Sequence, residues 1–369
     1  MKIKHLFFVR VGWFAEYANA LWQYCEKHGI DDFYFYIPNK YRSYTNIPDD
    51  RFISSSDLQK GNVEVENAYG SYFYYTSGCL KGFDNTKIHK ISYGLGNDDF
   101  FYKLCKWGNE KRTIEYLGAN AYDCHKFLSR KNNRIEKFCP IGLLKFSCEY
   151  DPEQEIRKIN EQNDLEDVWF DKSKPTILFL HSWNKTEDND LKTNQGNSDY
   201  NKTAEMLEKI SDKYNIIHKN HHFTYFKYKN FLNIANGSVC SKFLFDIADV
   251  VIADYGGSAV EALLSDKKVI YIDDYQHETI SKKNIDARLH DLLTHCYPEN
   301  VLDYIDTPTT NEEMKTRIEL RNYFFPFENP CEEFFKRINN SEYATFDCDR
   351  FLSDPITKKY GFDWKTSEL

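Results

Sequence analysis

The stretch Phe243–Asp274 reads FLFDIADVVIADYGGSAVEALLSDKKVIYIDD, and it decides the fold. Val250 to Ala253 is a short apolar, β-branched run that suits a strand buried on both faces. Asp254-Tyr255-Gly256-Gly257-Ser258 breaks the run. Ala259 to Leu264 continues with good helix formers at a spacing suited to packing on a sheet. Ser265-Asp266 ends that helix, and Val269 to Ile272 reads as a second buried strand. The unit is strand, glycine turn, helix, strand.

The turn carries chemistry. Two glycines allow positive φ and let a ligand approach the backbone. The following helix points unpaired N–H groups and the positive end of its dipole at the turn, so an anion, most often a phosphate, is the natural occupant. Ser258 adds a hydroxyl donor. Glu261 lies one turn further in, where a carboxylate can accept hydrogen bonds from sugar hydroxyls. The same pattern also serves an ordinary tight strand–helix turn with a capping serine. Asp254 before the glycines and Glu261 after them favour a nucleotide site.

Outward from this unit, composition sets bounds. A chain of 369 residues, 41% of them hydrophobic, has room for two domains with sizeable cores. It holds no run of about eighteen apolar residues, so no transmembrane helix is expected. The start, MKIKHLFFVRVGW, lacks a small-residue cleavage site and reads as a first strand rather than a signal peptide. The ten cysteines are scattered without a C-x-x-C pair, which points to buried thiols in a reducing cytosol rather than a zinc site or a disulfide framework. A net charge of −9 argues against a nucleic-acid partner.

Along the first half, strands are predicted at Lys4–Val9, Phe33–Ile37, Ser71–Tyr75 and Ile88–Tyr93. A helix is predicted over Ala15–His28 with Gly29 as its cap. This alternation implies a parallel sheet with crossover helices. Ile88–Tyr93 runs into Gly94-Leu95-Gly96-Asn97-Asp98-Asp99, a second strand-to-glycine switch that serves as a ligand loop or as a plain turn. Tyr116–Asn132 is mixed, with a helix through Tyr122–Arg130. Its basic run, Lys126–Arg134, is read as a solvated face, with an anionic acceptor or the inner face of a membrane as the other use. Phe138–Leu144 resembles a short strand and a break. Asp151 caps a helix over Pro152–Asn163 that opens the second half.

The second half repeats the rhythm. Thr176–Leu180 is a buried strand ending in His181-Ser182-Trp183-Asn184, and the polar Lys185–Asn201 reads as a loop at the mouth of a site. A helix follows at Thr203–Lys213. Asn215–Ile217 is a strand ending in the polar loop His218-Lys219-Asn220-His221-His222. Thr310 and Glu313 form a capping box for a helix ended by Phe324-Phe325-Pro326. A last helix covers Cys331–Ile338, and the tail is irregular. The domains are expected at 1–150 and 151–340, with a tail over 341–369. Three strand ends, at His181, His218 and Asp254, thus carry polar loops that a parallel sheet gathers on its carboxyl edge. Lys219 and the histidines beside an anion-binding helix start suit phosphate handling. Clustered histidines also suit a metal, but this spacing is too tight for a standard structural zinc motif, and no metal is expected.

The stretches IIHKNHH, FLFDIADVVIADYGGSAVEALLSDKKVIYID and RNYFFPFENP together resemble the CDP-glycerol glycerophosphotransferases of teichoic-acid and capsule synthesis. The resemblance covers roughly residues 174–329. It implies a GT-B fold, two Rossmann-like α/β domains facing across a cleft, with the donor nucleotide in the second. His221 takes the position of a family histidine with Lys219 as the basic residue before it. Asp254 and Tyr255 match the family's Asp-Tyr, Gly256 and Gly257 replace two serines, and Glu261 stands where the family has an aspartate. The donor site implied is Lys219, His221, Asp254, Tyr255, Gly256, Gly257, Ser258 and Glu261.

Tyr93 stands where the family's base histidine would fall. Tyrosine is a poor base near neutrality, with an ordinary pKa of about 10. The candidates for proton transfer are therefore Asp98, Asp99 and His181, with His221 on the phosphate. The reaction implied is transfer of a glycerol-phosphate or similar group from a CDP-activated donor to a hydroxyl of a glycan or lipid-linked glycan, releasing CMP without a cofactor. A GT-B glycosyltransferase that uses a CMP- or UDP-linked sugar in surface polysaccharide synthesis is the alternative, favoured by Tyr93 and by the Gly-Gly-Glu set. A binding protein that lost its base is a third reading.

Overall fold

The structure is a computed structural model. It describes residues 1–9, 11–70, 86–92, 94–95, 113–128, 135, 137–181, 200–221, 227–273, 285–340, 343 and 345–362. The chain forms two compact units. One takes in residues up to Glu149 and from Tyr323 onward; the other is Tyr150–Asn322 with Leu95. Residues 323–340, counted with the second half on sequence, thus belong to the first unit. The reason is packing. Phe334 and Phe335 of the Pro330–Asn339 helix meet Phe33, and Phe334 also meets Tyr69.

The described strands of the first unit are β1 (Lys2–Phe8), β2 (Phe33–Tyr36), β3 (Glu64–Gly70), β4 (Lys87–Ile91), β5 (Thr113–Gly118) and β6 (Lys137–Pro140). They pair in parallel in the order β2-β1-β3-β4-β5-β6. A parallel sheet needs crossover segments and cover on both faces. The Ala15–His28 helix supplies one crossover. Gly29, at φ 63°, closes it by donating its N–H to the carbonyls of Cys25 and Glu26. The core is strongly aromatic, with Phe7, Phe14, Tyr17, Phe33, Phe35 and Tyr69 buried together.

The second unit holds β7 (Thr176–Leu180), β8 (Asn215–Lys219), β9 (Leu232–Ile234), β10 (Val250–Ala253), β11 (Lys268–Ile272) and β12 (His295–Cys296). All pairings are parallel, in the order β12-β11-β10-β7-β8-β9. This is the doubly wound dinucleotide-binding order, with the unit's first and fourth strands side by side. On one face Ile177, Phe179, Ile216, Val250, Ile252 and Ile270 pack with Ala204, Leu207 and Val301. Side chains alternate along a strand, so the intervening residues face the other side. There the helix Ser241–Ile247 lies against β7, and Ile285–Leu292 lies against β11 and the Gly257–Glu261 helix.

Several elements differ from the sequence reading. β3 and β5 carry Glu64, Glu66 and Glu115 in short runs that hide their apolar alternation, and β9 and β12 are too short to show a period. The helix expected at Thr203–Lys213 spans Tyr200–Glu208, and that expected at Tyr122–Arg130 spans Ala121–Leu128. Lys126 is buried rather than solvated. The tail holds two short helices, Cys348–Ser353 and Pro355–Lys359, capped by the side chains of Asp347 and Asp354. Thr310 caps the Asn311–Phe324 helix as expected, but the Glu313 carboxylate turns to Thr294 instead of completing the box. The strand expected at Ser71–Tyr75 and most of the loop over 185–201 lie outside the described residues. Among the described residues no helix is long and apolar enough to cross a membrane.

Candidate functional site

The site is built at the switch point of the second sheet. Crossovers from β7 and β10 depart in opposite senses, so their carboxyl ends border a crevice where ligands of such sheets bind. Leu180 pairs with Ala253, which places His181 beside Asp254, each the first residue beyond its strand. Both follow by alternation from Phe179 and Ile252 and so share a face.

The glycine turn has the geometry its sequence implies. Gly256 adopts φ 85°, ψ −164°, a region essentially confined to glycine. A Cβ built there meets nothing within 4 Å, so the backbone is open on that side. Gly257 begins the helix Gly257–Glu261, which runs on as a 3-10 turn over Ala262–Leu264. Gly257 and Ser258 are half-buried; Asp254, Tyr255 and Glu261 are buried. The Tyr255 N–H donates to Asp254 Oδ1 at 2.6 Å, folding the carboxylate back onto the turn.

Beneath the turn lies a layer that sequence reasoning missed. The Tyr255 ring stacks on His290 with centroids 4.5 Å apart and planes 2° from parallel. His290, fully buried, places Nε2 2.7 Å from the Asp254 carbonyl oxygen and Nδ1 2.6 Å from Asp273 Oδ1. The other Asp273 oxygen meets His295 Nδ1 at 2.7 Å. Asp273 stood in the decisive stretch just past β11, where a carboxylate at a parallel strand end is a signal. His290 carried none, because one histidine in an amphipathic helix has no periodic meaning.

His218 and Lys219, expected in a polar loop, are the last residues of β8, and both are buried. Asn233 Oδ1 accepts the Tyr228 N–H, and its amide nitrogen donates to two carbonyls, so the amide orientation is set. His218 Nδ1, 3.0 Å from that oxygen, must therefore be the donor. Burial, with His181 alongside, holds His218 down to about 3 despite the Asn233 bond, so the ring is neutral. It stacks under His181 at 4.9 Å and 21°. Lys219 projects to the opposite face, where Nζ donates to Ser241 Oγ at 2.8 Å. The expected grouping thus splits. His181, His218 and Asp254 share one face, Lys219 lies on the other, and His221 follows half-buried beyond the strand. Tyr93, Asp98 and Asp99 lie outside the described residues.

No family model matches the chain, and no curated protein sequence matches it. Solved structures do. An alanine variant of the wall teichoic acid polymerase TagF gives a TM-score of 0.62 at 13% identity, covering 93% of this chain and 90% of that one. A TagF variant soaked with CDPG gives 0.61 at 13%, covering 91% and 87%. The S. aureus MnaA–UDP co-structure gives 0.55 at 12%, covering 94% and 99%. The likeness establishes the fold, two α/β units with parallel sheets as in GT-B proteins.

Proposed function

We propose that the chain is a GT-B transferase that moves a glycerol-phosphate or similar polyol-phosphate group from a CDP-activated donor to a hydroxyl of a cell-surface glycan. The observation that carries the reading is the Gly256 turn. It is an open, glycine-only backbone at the switch point of a dinucleotide-ordered sheet, entering a helix and flanked by His181 and Glu261. The TagF structure soaked with CDPG, on the same fold, supports a CDP-linked donor.

In this reading the N–H groups of Gly257 and Ser258 and the His221 ring meet the diphosphate, and Glu261 holds the ribose. An acceptor oxygen attacks the distal phosphorus, the bond to the bridging oxygen breaks, and CMP leaves with that oxygen. Donors preorganised where charge grows lower the barrier. Asp98 or Asp99 takes the acceptor's proton, with His181 as the next candidate. Lys219, tied to Ser241 on the far face, supports β8 rather than the phosphate. The acceptor is a glycan or lipid-linked glycan, and the reaction needs no metal.

A thermal-shift comparison of CMP, CDP, UDP, GDP and ADP tests this reading. A ligand at a hundred times its Kd stabilises by about 2.7 kcal/mol. The cytidine nucleotides should give the largest shift; an equal shift with a purine nucleotide overturns the donor assignment. Glu261→Ala should weaken CMP binding by ~1–3 kcal/mol through lost hydrogen bonds. A nucleotide-sugar glycosyltransferase is the second reading, favoured by the MnaA–UDP likeness. UDP binding, and release of a nucleoside diphosphate instead of CMP, would select its UDP-sugar form; a CMP-sugar form also releases CMP and is selected by turnover of a CMP-sugar and not of a CDP-polyol. Turnover of Asp98→Asn and Asp99→Asn locates the base.

A further inference from the structure

His290 stands outside every role given so far, yet it touches the turn twice. It reaches the Asp254 carbonyl with Nε2 and the Tyr255 ring by stacking. A carbonyl oxygen only accepts, so Nε2 carries a proton. Nδ1 lies 2.6 Å from a carboxylate oxygen, so both ring nitrogens are held. His295 meets the other Asp273 oxygen, so the carboxylate is held from both sides.

We propose that His290, clamped by Asp273, is the positioning residue that sets the Asp254–Gly256 backbone in its anion-receiving form. The clamp arrives from 36 residues further along the chain. Fixing the Asp254 carbonyl orients the peptide that follows it. The N–H of that peptide is Tyr255's, which closes on the Asp254 carboxylate. The Tyr255 ring lies flat on the imidazole, so the residue before Gly256 is held at its side chain as well as at its N–H, and Gly256 follows at φ 85°. Two successive glycines are the most freely rotating pair available, so a contact from outside the turn has most to restrain there. His290 touches no substrate; it acts through the backbone. The consequence for a donor rests on the proposed nucleotide site, but the restraint itself does not.

The test therefore reads the two separately. His290→Phe keeps a ring for Tyr255 and removes both hydrogen bonds. His290→Gln keeps an N–H that can reach the Asp254 carbonyl. Amide hydrogen exchange over Tyr255–Ala259 should speed up at least tenfold in His290→Phe, with exchange in β8 unchanged, and His290→Gln should restore most of the protection. Unchanged turn exchange in folded His290→Phe overturns the proposal. Should His290→Phe fail to fold, Asp273→Ala serves, because it removes the partner that holds His290 Nδ1. Unchanged turn exchange there overturns the proposal equally. In the binding arm, the Kd for CMP should rise at least tenfold in His290→Phe and return to within about threefold in His290→Gln. Wild-type protein that binds no CMP while the exchange result holds would fail the donor reading and leave the clamp standing.

Discussion

Each unit buries a histidine between a carboxylate and an amide oxygen, and the two arrangements serve different ends. In the first unit His89 reaches Glu115 at 2.5 Å with Nδ1 and the Asn67 side-chain oxygen at 3.2 Å with Nε2, and Arg337 takes the other Glu115 oxygen at 2.5 Å. In the second unit His290 reaches Asp273 and a backbone carbonyl, and His295 takes the other carboxylate oxygen. The chemistry is shared; the place on the strand is not. His89 and Glu115 sit in mid-strand, facing the returning Pro330–Asn339 helix, so their network fastens a helix to a sheet. Asp273 follows the end of β11, and His290 grips a turn. Mid-strand, a buried network of this kind joins a helix to a sheet; at the carboxyl edge of a parallel sheet, a similar network holds the turn that follows a strand.

The largest effect should come from breaking the mid-strand network. Burial alone would raise the Glu115 carboxyl, but the His89 hydrogen bond and charge, with Arg337, outweigh it and hold it below its usual value. Glu115→Ala strands Arg337 and should cost ~3–5 kcal/mol. Hydrogen exchange of β4 and β5 measures the loss, and CMP affinity in the second unit should not change. Altered CMP affinity with intact β4 and β5 would erase the distinction.

Gly256→Ala should cost about 1–3 kcal/mol from backbone strain alone, since the new methyl has open space. It should also lower CMP affinity at least tenfold. Retained affinity would show that the turn is scaffold, like the network around Glu115.

An acid titration separates the units by their histidines. His218 is held at about 3, and unfolding returns it to 6.5. Between those values the unfolded chain binds the extra proton. Stability is thus fully present above 6.5 and falls with decreasing pH at up to ~1.4 kcal/mol per unit until about 3. His5, pushed down to about 4 by burial, adds a similar slope to the first unit. His218→Phe should remove the second unit's share of the slope in urea melts from pH 5 to 8. It should cost little near pH 8, because Asn233 Oδ1 keeps the Tyr228 N–H. An unchanged slope would mean that His218 does not carry the acid sensitivity.

The smallest effect belongs to a cap far from both networks. Asp151 accepts the Glu153 N–H at 3.0 Å, and Asp151→Ala should cost ~1 kcal/mol in denaturant melts with no change in CMP affinity.

Sequence alone determined the α/β class, the strands at Thr176–Leu180 and Val250–Ala253, the Ala15–His28 helix with its Gly29 cap, and the glycine turn. Each rests on local physics: an apolar run of strand length, or a backbone angle only glycine adopts readily. Tertiary structure alone decided which strands adjoin, and so that His181 and Asp254 follow neighbouring strand ends while Lys219 faces away. It also decided that Pro330–Asn339 returns to the first unit, and that His290 and Asp273 lie under the turn. Strand order, and pairs made between residues far apart in sequence, leave no periodic trace. The face a strand residue takes depends on a register that neighbouring strands impose.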